Sequence, residues 1–114
     1  MAHRPEFIEY LLELLHDMGA IEARPMFGGY GLFYDGLMFA LIADEVLYLK
    51  TDEINRIDFE NRDLRAFSYE RKGKEILLSY NEAPGEVLDE PDEMCIWARN
   101  SIDAAKRSAA KKYK

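Results

Sequence analysis

The chain has 114 residues, of which 48% are hydrophobic, 12% aromatic and 32% charged, with a formal net charge of −7. That length suffices for one core without staples, the acidic balance argues against a general nucleic-acid binder, and no apolar run approaches the roughly 20 residues a bilayer demands. Cys95 is the single cysteine, so no internal disulfide can form, and no basic-then-apolar leader opens the chain; a single domain over 1–114 in the cytoplasm is the expectation.

In chain order, Pro5 and Glu6 suit the start of a helix, one by its fixed φ and the other by its charge at the positive end of the dipole. Phe7, Ile8, Leu11, Leu12, Leu14, Leu15 and Met18 recur at three- and four-residue steps, and Gly19 supplies a left-handed stop. His16 reads as a solvated residue at the carbonyl end of this helix, where a cation is favoured.

A run of strands follows. Ile21 to Phe27 is the first, and Pro25 sends it to an edge or bulge because proline has no donor for the ladder. Tyr30 to Tyr34 and Leu37 to Ala43 flank Asp35-Gly36, a pair suited to a turn that needs positive φ at both central residues. Leu37 to Ala43 lacks alternation, which suggests a central strand covered on both faces or completed by a partner. Val46 to Lys50 is the fourth strand, and core roles are expected for Met26, Phe33 and Phe39.

Thr51 or Asp52 can cap a short helix from about Glu53 to Glu60, with Ile54, Ile57 and Phe59 inward. Ala66 to Arg71 and Lys74 to Tyr80 read as a hairpin about Lys72-Gly73, with Phe67 and Tyr69 on one side, and Asn81 to Gly85 as a loop. A last helix opens near Pro91 and carries Met94, Trp97, Ala98, Ile102, Ala105 and Ala109 on one stripe, with Asp103 spaced to pair with Arg99 and Arg107.

The stretch R-P-M-F-G-G-Y-G-L-F-Y-D-G-L-M-F-A-L-I from Arg24 to Ile42 is followed by V-L-Y-L-K from Val46, L-S-Y at Leu78 to Tyr80 and W-A at Trp97-Ala98. Together these resemble the amino-terminal domain of the TfoX/Sxy family, from about Pro5 to Lys112. The resemblance implies an α+β fold: an antiparallel sheet in the order α-β4-α-β2-α, packed by amino- and carboxy-terminal helices and similar to secretion-chaperone-like and YjbR-like proteins, which are often dimers. It also implies regulation, since family members promote natural competence for DNA uptake together with the cyclic-AMP receptor protein at certain promoters. Those regulators carry a second, helical domain after this region, so a stand-alone member is expected here.

No motif for bond chemistry emerges from the residues. Gly28, Gly29 and Gly31 match neither dinucleotide nor P-loop spacing and precede a strand, so a bulge or tight turn explains them better than a phosphate cradle, with Arg24 keeping a small anion site as the lesser alternative. His3, His16 and Cys95 have no zinc-like spacing, and the serines lie outside any nucleophile-elbow context. Cofactors, metals and catalysis are therefore not expected. A non-enzymatic interaction module is, a homodimer that meets a protein such as a transcription factor through an edge formed by Arg24, Phe27, Gly28 and Gly29. The alternative is direct nucleic-acid contact through Arg99, Lys106, Arg107, Lys111 and Lys112, a basic run that also suits the carbonyl end of a helix.

Overall fold

Three two-residue turns set the register of a meander, and each holds both central residues at positive φ: Asp35-Gly36 at 51° and 80°, Asp44-Glu45 at 50° and 60°, and Lys72-Gly73 at 52° and 78°. Such turns match the right-handed twist of the strands they join. In the computed structural model, which describes residues 5–26 and 28–112 and only the backbone of Lys112, they link β2 (Gly29–Tyr34) to β3 (Leu37–Ala43), β3 to β4 (Val46–Lys50), and β5 (Ala66–Arg71) to β6 (Lys74–Glu82). With β1 (Ile21–Met26) these strands form one antiparallel sheet of six, ordered β1-β2-β3-β4-β6-β5. Pro25 accordingly lies on an edge strand.

The helices are α1 (Glu6–Leu14), α2 (Arg56–Glu60) and α3 (Pro91–Lys112), with short 3-10 turns at His16–Met18 and Gly85–Leu88. Ile8, Leu11 and Leu14 of α1 are buried, as are Met94, Trp97, Ala98, Ile102 and Ala105 of α3. They close on Leu32, Ala40, Ile42, Leu47 and Leu49 in one core cluster. Phe59 joins that core edge-on to Trp97, ring centroids 5.0 Å apart, an arrangement that aromatic quadrupoles favour. The small residues Ala98 and Ala104 are fully buried and let α3 lie close to its neighbours. Buried Asn81 fastens β6: its amide donates to the Leu64 carbonyl (2.9 Å) and its oxygen accepts from the Thr51 hydroxyl (3.1 Å).

The lack of alternation in β3 has a local cause. Leu32 pairs with Ala40 but Phe33 pairs with Met38, so Phe39 is an extra residue in the ladder. Such a bulge turns two successive side chains toward one face, and Phe39 and Ala40 are both fully buried in the helix-covered core.

Three expectations need correction. Ile54 and Ile57 point outward, 65% and 52% exposed, because α2 is a single short turn that buries Phe59 alone. Strand β6 continues through Glu82 where a loop was expected, since Tyr80, Asn81 and Glu82 pair with β4. Arg107 bonds Asp52 and not Asp103, with its guanidinium on both carboxylate oxygens at 2.5 and 3.0 Å.

Candidate interaction surface

Helices cover one face of the sheet. On the other, strand alternation brings together side chains that the core does not absorb. At the β1 end Arg24 lies 4.6 Å above the Phe33 ring and bonds Glu22 through Nε (2.9 Å) and Nη2 (2.6 Å). Beside them Met26 and Met38 meet over Gly31, where an added Cβ would come within 3.0 Å of the Met38 sulfur and 3.2 Å of Met26. Leu41 sits between Gly31 and Tyr48 in the ladder.

Across β4 the surface continues without a break. The Tyr80 hydroxyl donates to the Met38 carbonyl (3.3 Å), and the Lys50 ammonium lies 5.1 Å from the centre of the Tyr80 ring. Tyr48 meets Phe67 edge-on at 5.0 Å, and Phe67 is followed by Tyr69 at 6.4 Å. Burial raises the Tyr80 phenol to about 12 and also raises that of Tyr48, with Glu82 and Asp44 adding to the latter. Both phenols are therefore neutral at physiological pH, and that of Tyr80 is the donor to Met38. Burial likewise lowers the Lys50 ammonium from its ordinary value. Two cations stacked on rings give this face amphipathic anchors, apolar in body and charged at the rim.

The glycine corner has a steric explanation. Gly28 holds φ at 79°, and a Cβ on Gly29 would stand 2.0 Å from the Ile42 carbonyl oxygen. Strand β2 therefore approaches β3 more closely than a side chain would allow. The structure brings Arg24, Gly28 and Gly29 to one corner of the sheet, at the β1–β2 connection; Phe27 lies outside the described residues. Met26 and Phe33, expected in the core, belong to the open face, while Phe39 is fully buried. The sequence reading missed Met38, Lys50, Tyr48 and Tyr80 as surface residues. The two-residue spacing of Tyr48 and Lys50 within β4 carried that signal for those two.

The basic set divides. Arg107 is held by Asp52, whose carboxyl is drawn down to about 2 chiefly by that guanidinium and then by the Asn55 and Ile54 amides. Lys111 reaches Glu53 at 3.5 Å. Arg99 and Lys106 turn instead toward the 3-10 turn, where with Asp17, Tyr34 and Asp103 they line a shallow depression of about 330 Å³. The side chain of Lys112 lies outside the described residues. Carboxylates interleave the cations throughout, so no uniformly basic face results. Among the described residues no group of three or more His, Cys, Asp or Glu side chains is placed to hold a metal ion, and no helix is long and apolar enough to cross a membrane.

Comparison with known proteins agrees with this architecture. The family described as the TfoX N-terminal domain matches residues 13–105. Protein Sxy of Escherichia coli (strain K12) is 28% identical over 93 residues, an alignment covering 82% of this chain and 44% of that relative. The chain thus spans less than half the length of the curated relative it matches. On the extent of the family match, this protein belongs to the TfoX N-terminal domain family.

Proposed function

We propose that the chain is a regulatory module, without enzymatic activity of its own, that docks a protein partner on the open face of its sheet. The observation that supports this is the unbroken file of Phe33, Met38, Tyr80, Tyr48 and Phe67, which crosses the sheet on the side away from the helices. Methionine and aromatic side chains supply large, adaptable contact area, and such residues dominate the energetics of protein interfaces. Arg24 and Gly28-Gly29 form the corner of that surface.

Membership of the TfoX N-terminal domain family supports a competence-related regulatory role, and the partner proposed for the open face is a transcription factor. The alternative, nucleic acid on the carboxy-terminal helix, is weakened by the engagement of Arg107 and Lys111 with Asp52 and Glu53. The test is a fluorescence titration of the purified chain with the purified cyclic-AMP receptor protein of the same cell. Saturable binding is expected, weakened at least about tenfold by Met38→Glu and unchanged by Lys111→Glu. No binding, or equal weakening by both variants, would overturn the reading, and gel shifts with promoter DNA alone that respond to Lys111→Glu would favour the alternative.

A further inference from the structure

The hold of Asp52 on Arg107 has a second consequence, at Asp103. Asp103 lies one helical turn before Arg107 on α3, the favoured order for a surface pair, but that guanidinium is already taken. Arg99 lies one turn on the other side of Asp103, and there the cation precedes the anion, the weaker order. Among the described residues, the side chains of Arg99, Asp103 and Lys106 form no hydrogen bond or ion pair, whereas Arg107 and Lys111 of the same helix are both engaged. All three unengaged groups line the depression of about 330 Å³, and Asp17 of the facing 3-10 turn, equally unengaged, lines it with them.

This arrangement selects a kind of ligand. Two cations and two carboxylates around one hollow sum to no net charge, and Asp103 stands between Arg99 and Lys106 along the helix. A phosphate or a nucleic-acid backbone would meet that carboxylate together with the cations, and a simple amine would meet the guanidinium together with the acids. A molecule with one charge of each sign on neighbouring atoms satisfies both sets. Between the charges the lining is apolar: Ile102 is 4% exposed, and half-buried Met18 and Tyr34 complete it. The volume lies near the lower end of small-molecule sites, which run from about 300 to 1,000 Å³.

We propose that this depression binds a free α-amino acid with an apolar side chain. Its carboxylate lies on the Arg99 fork and Lys106, its ammonium between Asp103 and Asp17, and its side chain over Met18, Ile102 and Tyr34. A guanidinium suits the first role because its planar donors match the two oxygens of a carboxylate. The hollow is open to water, which screens each charge contact and keeps the affinity low. The site is built on α3, on the covered side of the sheet, so it and the docking reading of the open face stand or fall separately.

Amide proton–nitrogen spectra of the full chain, titrated with L-phenylalanine, test the proposal. Saturable shifts are expected at Met18, Tyr34 and Ile102, with a dissociation constant of about 1 mM. Two half-ligands dissect the recognition: 3-phenylpropionate, which lacks the ammonium, and phenethylamine, which lacks the carboxylate. Each should bind at least about tenfold more weakly than the amino acid, and Arg99→Gln and Asp103→Asn should weaken the amino acid by a similar factor. Both variants alter exposed side chains, and the same spectra report whether they are folded; should either unfold, the three ligands compared on the unaltered chain decide. Shifts that stay linear to about 20 mM, a half-ligand that binds as well as the amino acid, or folded variants with unchanged affinity would each overturn the proposal.

Discussion

The two faces of the sheet differ in kind. Beneath the helices, Leu32, Ala40, Ile42, Leu47 and Leu49 are aliphatic and almost wholly hidden. On the reverse, Phe33, Met38, Tyr48 and Tyr80 stay in partial contact with water, and all but Phe33 carry a polar atom or soft sulfur. Burial against a rigid layer rewards shape and tolerates no unpaired polar group. The uncovered face instead carries a ring whose hydroxyl bonds locally, as Tyr80 does to Met38, and cations laid over aromatic surfaces. On the function proposed above, stability and recognition fall on opposite sides of the same strands.

Truncation on either side is the most forceful way to break this contrast. Phe39→Ala, in the covered core, should lower unfolding free energy in urea by about 3 to 5 kcal/mol. Phe33→Ala, on the uncovered face and already partly wet, should lose about 1 kcal/mol. Equal losses would mean the open face holds the fold as firmly as the core.

A smaller effect sits where α3 meets the α2 bend. The Asp52 carboxyl is depressed from its ordinary 3.8 to about 2 by Arg107, so its contribution is fully present above pH 4 and fades as the pH falls toward 2. Asp52→Asn should therefore cost on the order of 1 to 2 kcal/mol at pH 7. It should also flatten the stability-versus-pH curve between pH 4 and pH 2, as read by urea melts at each pH. An unaltered acid slope would show that Arg107 is not its anchor.

The least effect comes from a turn. Glu45 holds φ at 60° where the two sister turns place Gly36 and Gly73. A side chain there is disfavoured by about 1 kcal/mol, an amount partly offset by the extra freedom glycine has in the unfolded chain. Glu45→Gly should accordingly raise the melting temperature by a degree or a few.

Much of the covered face was legible in the sequence, because apolar spacing in α1 and α3 and turn pairs such as Asp35-Gly36 are local signals. The α+β class came with the family resemblance, and the edge position of β1 from Pro25. The bulge at Phe39 was not legible, since a bulge and a doubly covered strand produce the same unbroken apolar run. Ile54 and Ile57 misled for a related reason: their spacing fits a helix face, but five residues of α2 bury one side chain only. The partner of Arg107 was equally hidden, because Asp103 is near in sequence and Asp52 is near only in space. The open face was half visible, through Phe67 and Tyr69, while the Met38 to Tyr80 contact joins strands 42 positions apart.

The extra residue at Phe39 bears on how relatives are aligned. It inverts the parity of inward and outward positions between the two halves of β3, so a one-residue gap at Phe39 would remove the bulge and restore simple alternation. A homologue lacking that residue would keep both halves on their present faces, since Met38 already points out and Ala40 in, and would lose only the hidden ring. Segment length at that point therefore reports whether the strand is bulged or regular.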